Sequence, residues 1–570
     1  MDKRNEDNSP SELESEKIEN KKKNEASANE VSFDEALTDE ASANGAPLTE
    51  VASDSSKSEE KPKKRSKKLT VKIIFAIIFT FGANLLFFCM LWLLNRYDNV
   101  QFDQILYQIK SPAAGTGGGL VKDAMLNVIL LGSLVALGEI FLYFFFAGKL
   151  KCWFGKIKKY AGYCASRVAT FLKKHFMPIA SMSLVVSILI FVFRLDVHLF
   201  VVNAFVNSDF IEDNYVSPDD VELKFPEQKR NLIYIYLESM ENTFADPDSD
   251  GEGGKIESDL IPELSQLARD NVSFTQKNGK YGGYTYVGSR WTAAALFAQT
   301  AGVIIKVPMN FDNYGTDGTF MPGITTLGDV LADEGYNQTV LFGSDAKFAA
   351  RNIYFTEHGN YNIIDIYSLI DDGKLPEGYW EWWGFEDAKL FEFAKEELTR
   401  LASLGEPFNF TTLTADTHFP DGYECELCPD IYDEQYSNVL SCSSKQVYEF
   451  INWIKEQPFY ENTTIILSGD HLTMDPEFLE DVDSDYIRTT YNCIINSPTT
   501  PVRENDREFA TFDMFPTTLA ALGVEIEGDR LGIGVNLFSD VKTLTEKYGY
   551  DYVESKLQKR SDFFLDTFYN

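Results

Sequence analysis

Residues 231–238 read NLIYIYLE, an unbroken apolar run that ends at a carboxylate. A continuous run of this length, without polar alternation, is typical of a strand that is buried on both faces. The stretches QTVLFGSDA (338–346), FNFTTLTADTH (408–418) and NTTIILSGDH (462–471) have the same form, an apolar run that closes in polar residues. The sequence therefore predicts a set of buried strands with polar ends.

Helical patterns lie between these strands, at 324–335, 385–402 and 443–457. Strand and helix in alternation predict an α/β domain with a mainly parallel central sheet and helices on both faces. In such sheets, ligands bind outside the carboxyl ends of the strands. The polar residues predicted at that edge are Glu238, Asp345, Asp416, His418, Asp470 and His471.

Asp470 and His471 close one strand with two adjacent ligand types, and Glu238 closes another. One imidazole combined with carboxylates and a hydroxyl suits Mn²⁺ or Zn²⁺. A capped turn for the Asp-His pair, and a helix-capping or ion-paired carboxylate for Glu238, are the alternatives without a metal.

A nucleophile candidate lies in GSRWTAAALFAQTAG (288–302), where Thr292 precedes a run of small, helix-forming residues. Its hydroxyl is expected at a helix N-terminus, where the dipole and free N–H groups favour an anion. An ordinary N-cap threonine is the alternative. The sequence has no P-loop, no GxGxxG after a strand, no HExxH and no GxSxG, which disfavours nucleotide binding and α/β-hydrolase chemistry.

Three apolar runs precede the α/β domain, at 73–94, 125–147 and 176–193. Each is long enough to cross the ~30 Å hydrocarbon core of a bilayer. The second run contains Glu139, which is either a functional intramembrane group or a residue that faces a neighbouring helix near an interface.

The orientation of these spans follows from basic residues. The flank at 61–68 reads KPKKRSKK, and the loop at 149–175 carries eight Lys/Arg and no acidic residue. The positive-inside rule places both in the cytoplasm, so that an odd number of spans leaves the α/β domain outside. The predicted domains are a disordered cytoplasmic tail, a membrane domain with three transmembrane helices, an extracellular linker and the extracellular α/β domain, at 1–69, 70–195, 196–224 and 225–570.

Charge is divided unevenly along the chain. The net charge of −35 is the sum of +5 over residues 1–195 and −40 over the remaining 375 residues. An acidic surface argues against a nucleic-acid partner, because phosphate neutralisation needs clustered Lys/Arg.

Seven cysteines are too few for a disulfide scaffold. Cys425 and Cys428 form a CxxC without a second pair or a histidine at zinc spacing. Two alternatives are left open for these residues. Either Cys425 or Cys428 forms a disulfide with Cys442, or the cysteines, including Cys493, are free thiols. The aromatic group Tyr379, Trp380, Trp382 and Trp383 is interpreted as core packing where a helix starts, with a glycan or lipid groove as the alternative.

An ordered set of stretches carries a family resemblance. The set is NLIYIYLESMENTF, SRWTAAALFAQTAG, FGSDAKFAARNIYF, LTADTHFPDGYECELC, FYENTTIILSGDHLTMD, FATFDMFPTTLAALG and GDRLGIGVNLFS. From about 230 to 540, it resembles the sulfatase-like phosphoglycerol transferases of the alkaline phosphatase superfamily. It is similar to lipoteichoic acid synthases and more so to the transferases that decorate osmoregulated periplasmic glucans. The resemblance implies an alkaline phosphatase/sulfatase-like fold.

The resemblance also implies site roles. Thr292 would be the nucleophile and would form a glycerophospho-threonine intermediate. One divalent ion, Mn²⁺ before Zn²⁺ or Mg²⁺, would be held by Glu238, Thr292, Asp470 and His471. The phosphoglycerol head group would be bound by His418 and Arg351, with Asp345 or Asp416 taking its hydroxyls. A surface ion pair is the alternative for Arg351.

The implied activity is transfer of glycerol phosphate from phosphatidylglycerol to an extracellular polyglycerophosphate, glycolipid or cell-surface glycan. The alternatives are a phosphoethanolamine transferase or phosphodiesterase of the same superfamily, and an inactive membrane-anchored surface binding protein. The Cys/Ser-x-Pro-x-Arg pattern of sulfatases is absent, which disfavours sulfate-ester hydrolysis. Three spans rather than five, and Ala349 where lipoteichoic acid synthases carry Trp, favour the glucan-decorating relatives.

Overall fold

The computed structural model of this chain describes residues 67–98, 100–111, 118–148, 159–245, 256, 258–276, 282–309, 314–315, 318–480, 482–483 and 486–569. The predicted disordered tail lies outside these ranges, except that residues 67–69 belong to the first helix. Residues 149–158 of the predicted cytoplasmic loop also lie outside them.

Three helical segments in the described part are long and apolar enough to cross a membrane by length and composition, and no fourth is found there. They are Thr70–Arg96, Gly119–Phe146 and Lys174–Arg194. These segments agree with the three predicted apolar runs. Asn84 donates a hydrogen bond of 3.0 Å to Glu139 from the neighbouring helix, so Glu139 faces a helix partner as in the second of its two interpretations.

The central sheet has six strands in the order β4-β3-β5-β2-β6-β7. All neighbours are parallel except β6 and β7, which confirms the predicted mainly parallel sheet. The strands are β2 (Asn231–Leu237), β3 (Asn337–Phe342), β4 (Asn362–Ile364), β5 (Phe408–Leu413), β6 (Thr463–Gly469) and β7 (Asn492–Ile495). Four strands of two residues each lie outside this sheet and form short pairs with one another. They are β1 (Leu223–Lys224), β8 (Glu525–Ile526), β9 (Arg530–Leu531) and β10 (Gly534–Val535).

Strand β2 occupies the middle of the sheet, and all seven of its residues are buried. Tyr234 and Tyr236 enter the hydrophobic core on one face of the sheet, whereas Ile233 and Ile235 enter the core on the other. Successive side chains of a strand point to opposite faces. Burial on both faces therefore explains why the sequence of β2 is apolar throughout.

The helices belong to the N-terminal part, which includes the membrane segments, and to the α/β domain, where they pack on the sheet. In the N-terminal part they are α1 (Lys67–Arg96), α2 (Phe102–Lys110), α3 (Gly118–Ala124), α4 (Leu131–Gly148), α5 (Lys159–Arg194), α6 (Val197–Ala204) and α7 (Phe210–Asn214), with a π-helical turn at Met125–Leu130. In the α/β domain they are α8 (Pro262–Asp270), α9 (Thr292–Ala301), α10 (Leu327–Asp333), α11 (Arg351–Glu357), α12 (Ile366–Asp371), α13 (Asp387–Ser403), α14 (Gln435–Lys455), α15 (Met514–Ala521), α16 (Leu544–Tyr548), α17 (Tyr550–Leu557) and α18 (Asp562–Phe568).

Two helices begin earlier than the sequence pattern predicts. Helix α14 starts at Gln435 rather than at residue 443, and therefore includes Cys442. Helix α5 starts at Lys159, so the second half of the predicted 149–175 loop is helical. The segment predicted as a linker at 196–224 contains α6 and α7.

The segment between the first two membrane helices docks on the α/β domain. Asp98 donates its backbone N–H to the Met474 carbonyl (2.8 Å) and its carboxylate pairs with Arg488 (3.2 Å). On α2, the buried Tyr107 hydroxyl donates to the Ala349 carbonyl at 2.9 Å. These contacts hold the carboxyl edge of the sheet close to the membrane helices.

Candidate active site

The register of the parallel strands brings Glu238 next to Asp470 and His471. Leu237 of β2 pairs with Gly469 of β6, so the residues that follow both strands leave the sheet at the same point. His471 Nε2 lies 3.5 Å from Glu238 Oε1 and 3.4 Å from Asp470 Oδ2. All three side chains are at most 2% exposed, and their ligand atoms lie within 4.8 Å of one another.

Hydrogen bonds orient this triad towards a common centre. His471 Nδ1 lies 2.8 Å from the Leu472 carbonyl, to which it donates, so Nε2 carries the lone pair that faces the carboxylates. Asp470 Oδ1 accepts the backbone N–H groups of Ser239 (2.8 Å) and His471 (2.7 Å). Asp470 Oδ2 is buried and has no hydrogen-bond partner within the described part of the chain.

The electrostatics of the triad favour a cation. Burial raises the pKa of Asp470 to about 8, and the charge of Glu238 adds to the rise. Burial alone would raise the pKa of Glu238, but His471 and His418 lower it. Two buried carboxylates that share one imidazole are under-compensated in charge. An oxygen without a partner and a nitrogen lone pair aimed at the same point fit a divalent metal ion.

Thr292 is the first residue of α9, and Trp291 before it is in extended conformation. Its hydroxyl Oγ1 lies 3.3 Å from Glu238 Oε2 and 3.2 Å from His471 Nε2. The hydroxyl thus stands at the helix N-terminus, where partial positive charge and free N–H groups favour a phosphate. The structure brings all four residues of the predicted metal set together.

His418 follows β5 and is held by its neighbours. Its Nδ1 lies 2.7 Å from the Phe419 carbonyl, to which it donates, which leaves Nε2 for a ligand. The ring stacks on Phe419, and Trp383 packs against it with ring centroids 4.5 Å apart. Burial lowers the pKa of His418, although Glu238 opposes the shift, so the imidazole is neutral at neutral pH.

Arg351 is 5% exposed and belongs to the same electrostatic site, because the charge of Glu238 acts on it. Its Nη2 donates to Ser344 Oγ and to the Asp345 carbonyl, both at 2.8 Å. The guanidinium lies 4.4 Å from the centre of the Phe342 ring. Burial lowers the pKa of Arg351 to about 10, which leaves it charged at neutral pH. A surface ion pair does not describe this residue.

Asp345 and Asp416 make bonds within the protein. Asp345 Oδ1 accepts the Lys347 N–H at 2.8 Å, which closes a turn. Asp416 Oδ1 accepts the Asp387 N–H at the start of α13 (3.2 Å), and Asp387 accepts the N–H groups of Ala415 and Asp416 in return. Burial, and then the charge of Asp387, raise the pKa of Asp416 to about 10. Their role towards substrate hydroxyls stays a prediction.

The sequence model of the Sulfatase family matches residues 230–524, which is more than half of the chain. The chain belongs to the Sulfatase family. The match confirms the expected alkaline phosphatase/sulfatase-like fold.

Individual relatives match this chain over only part of its length and at moderate sequence identity. Phosphoglycerol transferase I from Citrobacter koseri is 30% identical over 258 residues, which are 44% of this chain and 32% of the relative. Phosphoglycerol transferase I from Xanthomonas campestris is 31% identical over 323 residues, 55% of this chain and 44% of the relative. The chain therefore spans less than half of the length of these relatives. The crystal structure of the lipoteichoic acid synthase LtaP from Listeria monocytogenes aligns with a TM-score of 0.42 at 19% identity, over 58% of this chain and 82% of that one.

Several residues of the sulfatase site escaped the sequence analysis. Ser239 donates to Glu238 Oε1 at 2.9 Å, and Thr417 donates to the Glu238 carbonyl at 2.6 Å. Their nearness in sequence to Glu238 and His418 was the available signal. Trp383 was interpreted as core packing, but it is half-buried beside His418, and the adjacent Trp380 is 41% exposed. Tyr379 packs against the hydrophobic core as interpreted, whereas Trp383 lies beside His418.

A cavity of about 1240 Å³ separates the membrane-proximal helices from the sulfatase-like domain. Its lining includes residues next to the nucleophile candidate and the metal ligands, namely Trp291 and Leu472. The side of the N-terminal helices contributes apolar residues such as Leu94, Leu199 and Phe200. Cationic residues of the opposite wall are Arg290, Lys306 and Arg488. The lining also contains Arg194, Arg560 and the aspartates Asp98, Asp103, Asp196, Asp483 and Asp551, so the cavity combines an apolar wall with charges of both signs.

Proposed function

We propose that this protein is a membrane-bound phosphoglycerol transferase that moves glycerol phosphate from phosphatidylglycerol to an acceptor hydroxyl outside the cytoplasm. The observation that carries the proposal is the Thr292 hydroxyl, within 3.3 Å of Glu238 and His471 at a helix N-terminus. Relatives named phosphoglycerol transferase I support the choice of substrate. The acceptor is a polyglycerophosphate chain, a glycolipid or a cell-surface glycan.

The metal site has a defined place in the reaction. Glu238, Thr292, Asp470 and His471 would hold one divalent ion, Mn²⁺ before Zn²⁺ or Mg²⁺. When bound, such an ion supplies Lewis-acid chemistry that lowers the pKa of a coordinated hydroxyl by several units. The Ser239 N–H donates to Asp470 Oδ1 and the Leu472 carbonyl accepts from His471 Nδ1, and these bonds fix the ligand atoms beforehand.

The chain's own residues perform two displacements at phosphorus. In the first, Thr292 Oγ1 forms a bond to phosphorus while the bond to the diacylglycerol oxygen breaks. In the second, an acceptor hydroxyl forms the new bond and Thr292 leaves. Both alcohols occupy the position opposite Thr292, so the group that protonates one deprotonates the other. His418 takes up a proton at Nε2 as the anionic phosphate binds, gives it to the diacylglycerol oxygen, and receives one from the acceptor hydroxyl. The Thr292 hydroxyl proton passes to Glu238 Oε2 in the first displacement and returns to Oγ1 in the second. Arg351 and the N-terminus of α9 hold the phosphate oxygens.

The cavity beside the site supports a lipid donor. Its apolar wall comes from helices next to the membrane, and this wall suits the acyl part of a lipid. Trp291 precedes Thr292 and Leu472 follows His471, so these two lining residues connect the cavity to the site. Membrane helices raise the effective concentration of donor lipid at the site. This anchoring offsets the electrostatic repulsion between anionic lipid and an acidic domain. Physiological salt limits the range of that repulsion to about 8 Å.

The sidedness rests on the basic residues near the spans. Lys/Arg-rich segments at 61–68 and 149–175 support a cytoplasmic N-terminus and an extracellular catalytic domain. A cysteine-labelling experiment with a membrane-impermeant maleimide tests this assignment. A cysteine placed at the exposed Val502 should react in intact cells, and one placed at Ser66 should react only after lysis.

The function is tested with the full chain in liposomes that contain phosphatidylglycerol and Mn²⁺. We expect diacylglycerol release and an intact-mass increase of one glycerophosphate that maps to Thr292. The matched variants are Thr292→Val, which lacks the hydroxyl, and Thr292→Ser, which keeps it. Diacylglycerol release without an adduct would indicate phosphodiester hydrolysis, and an adduct only with phosphatidylethanolamine would indicate phosphoethanolamine transfer. Metal binding without turnover on either lipid would indicate a binding protein.

A further inference from the structure

Three cysteines form a compact cluster outside the catalytic site. Cys425 and Cys428 lie in a turn closed by the Cys428 N–H on the Cys425 carbonyl (3.0 Å), and Cys442 lies on α14. Cys425 Sγ is 3.7 Å from both Cys428 Sγ and Cys442 Sγ. All three sulfurs lie within 4.8 Å of one another. Tertiary structure thus adds a third thiol to a CxxC pair that lacked a partner in the sequence.

The spacing of the sulfurs fits a shared metal ion. Two thiolates on a tetrahedral zinc ion, each at about 2.3 Å from the metal, are separated by about 3.8 Å. A disulfide instead requires two sulfurs about 2.05 Å apart and would use only two of the three. The observed 3.7 Å separations, made twice by Cys425, match the metal geometry.

A side-chain amide and partial solvent exposure characterise the surroundings of the cluster. Gln446, one turn after Cys442, directs its side-chain amide at Cys442 Sγ (3.3 Å) and Cys425 Sγ (3.7 Å). Such donors around the sulfurs are typical of metal thiolates. Cys425 and Cys442 are buried, whereas Cys428 is half-buried and gives an ion access from solvent.

We propose that Cys425, Cys428 and Cys442 bind one soft divalent ion of the zinc type through three thiolates, separately from the catalytic metal. Solvent completes the coordination on the Cys428 side. The ion ties the chain that leaves His418 to helix α14, since Cys425 lies seven residues after His418. Soft sulfur ligands select zinc over the Mn²⁺ suited to the oxygen-rich catalytic site, so the two sites differ in metal preference.

Cobalt tests the site, because sulfur-to-cobalt charge transfer gives a near-ultraviolet band that an oxygen and histidine site cannot produce. The full chain is reduced and stripped of metal in detergent, then titrated with Co²⁺. We expect the band to saturate at one ion per chain, to vanish on addition of Zn²⁺ and to be absent in Cys425→Ser and Cys442→Ser. It should persist in Cys493→Ala, which removes a buried cysteine outside the cluster, and in His471→Ala, which disables the catalytic metal site.

A second measurement uses the wild-type chain and so does not depend on the folding of a variant. Zn²⁺ should protect Cys425, Cys428 and Cys442 from alkylation and leave Cys89 unprotected, and a chelator should abolish the protection. The proposal is overturned if no cobalt band forms, or if the band survives in both serine variants. It is also overturned if protein trapped by alkylation at lysis contains a disulfide between any two of the three cysteines.

Discussion

Replacing Asp470 with asparagine removes a buried ionisable carboxyl and leaves the shape of the site intact. Asp470 Oδ1 keeps its two backbone donors, Ser239 N–H and His471 N–H, and the amide nitrogen takes the place of Oδ2, which has no partner in the described structure. Because burial raises the pKa of Asp470 to about 8, the folded metal-free protein protonates this carboxyl at pH 7. Relative to an unfolded pKa of about 3.9, this protonation costs at most about 4 kcal/mol. In metal-free protein we therefore expect Asp470→Asn to raise the free energy of unfolding by about 2 to 3 kcal/mol.

With metal present the sign reverses. A ligand at about 1,000 times its Kd stabilises the folded state by about 4 kcal/mol, and a 1,000-fold weaker affinity removes about 3.7 kcal/mol of that, which exceeds the gain without metal. An asparagine amide nitrogen cannot coordinate a cation, so the variant loses most of the metal-dependent stabilisation. Wild type should thus be the less stable protein in chelator and the more stable one in Mn²⁺.

The assay is thermal unfolding of the full chain in detergent, followed by intrinsic fluorescence, in chelator and in Mn²⁺. Asp513→Asn is the matched control, because Asp513 is equally buried but both of its oxygens accept backbone N–H groups, from Ala510 (2.7 Å) and Val535 (2.8 Å). It should destabilise the protein by about 1 to 3 kcal/mol in both conditions. If Asp470→Asn destabilises the metal-free protein, the inference that this carboxylate awaits a cation is refuted.

Three further predictions concern the nucleophile Thr292, the phosphate-binding Arg351 and Lys306 in the cavity. Thr292→Val should lower diacylglycerol release at least about 10³-fold, whereas Thr292→Ser should retain measurable activity; a valine variant near wild-type rate would contradict the proposed role. Arg351→Lys keeps the charge but loses the planar fork, and should lower kcat/KM about 10- to 100-fold, or about 1.4 to 2.7 kcal/mol; an unchanged kcat/KM in the lipid assay would contradict it. Burial lowers the pKa of Lys306 to about 8, although Asp103 and Glu554 oppose the shift. The folded state then binds fewer protons than the unfolded state between pH 8 and about 10.4, so the stability of wild type relative to Lys306→Met should rise across this window by at most about 3 kcal/mol. Denaturant unfolding at several pH values measures the difference, and a flat difference would exclude the assigned titration.

Much of the fold was predictable from local sequence. Strand β2 is buried on both faces, and that burial requires the continuous apolar run from Leu232 to Leu237. The three membrane helices were predictable from the thickness of a bilayer, because a helix needs about 20 apolar residues to cross its hydrocarbon core. The start of α14 was missed because the residues around Ser437 and Ser441 are polar, although Tyr436, Val439 and Leu440 bury the same helix against its neighbours.

The site was predictable in its residue types but not in its arrangement. Strand-end positions indicated Glu238, Asp470 and His471 as candidate ligands, since carboxyl ends of parallel strands share one edge. The same rule selected Asp416, whose Oδ1 accepts the N–H at the start of α13 and whose role towards substrate stays a prediction. Sequence position alone does not distinguish a carboxylate that faces the opening from one that caps a helix.

The sequence by itself determined the parts of this protein: apolar strands with polar ends, three spans, a threonine before a small-residue helix and a division of charge. These features are local, because periodicity, hydrophobic length and side-chain chemistry are properties of neighbouring residues. The tertiary structure alone decided which parts meet. Thr292 lies 54 residues from Glu238 and 179 from His471, and only strand register and helix placement bring their atoms within 3.3 Å. The cysteine cluster depends likewise on the fold of α14 against the chain that follows His418, a contact that no local pattern encodes.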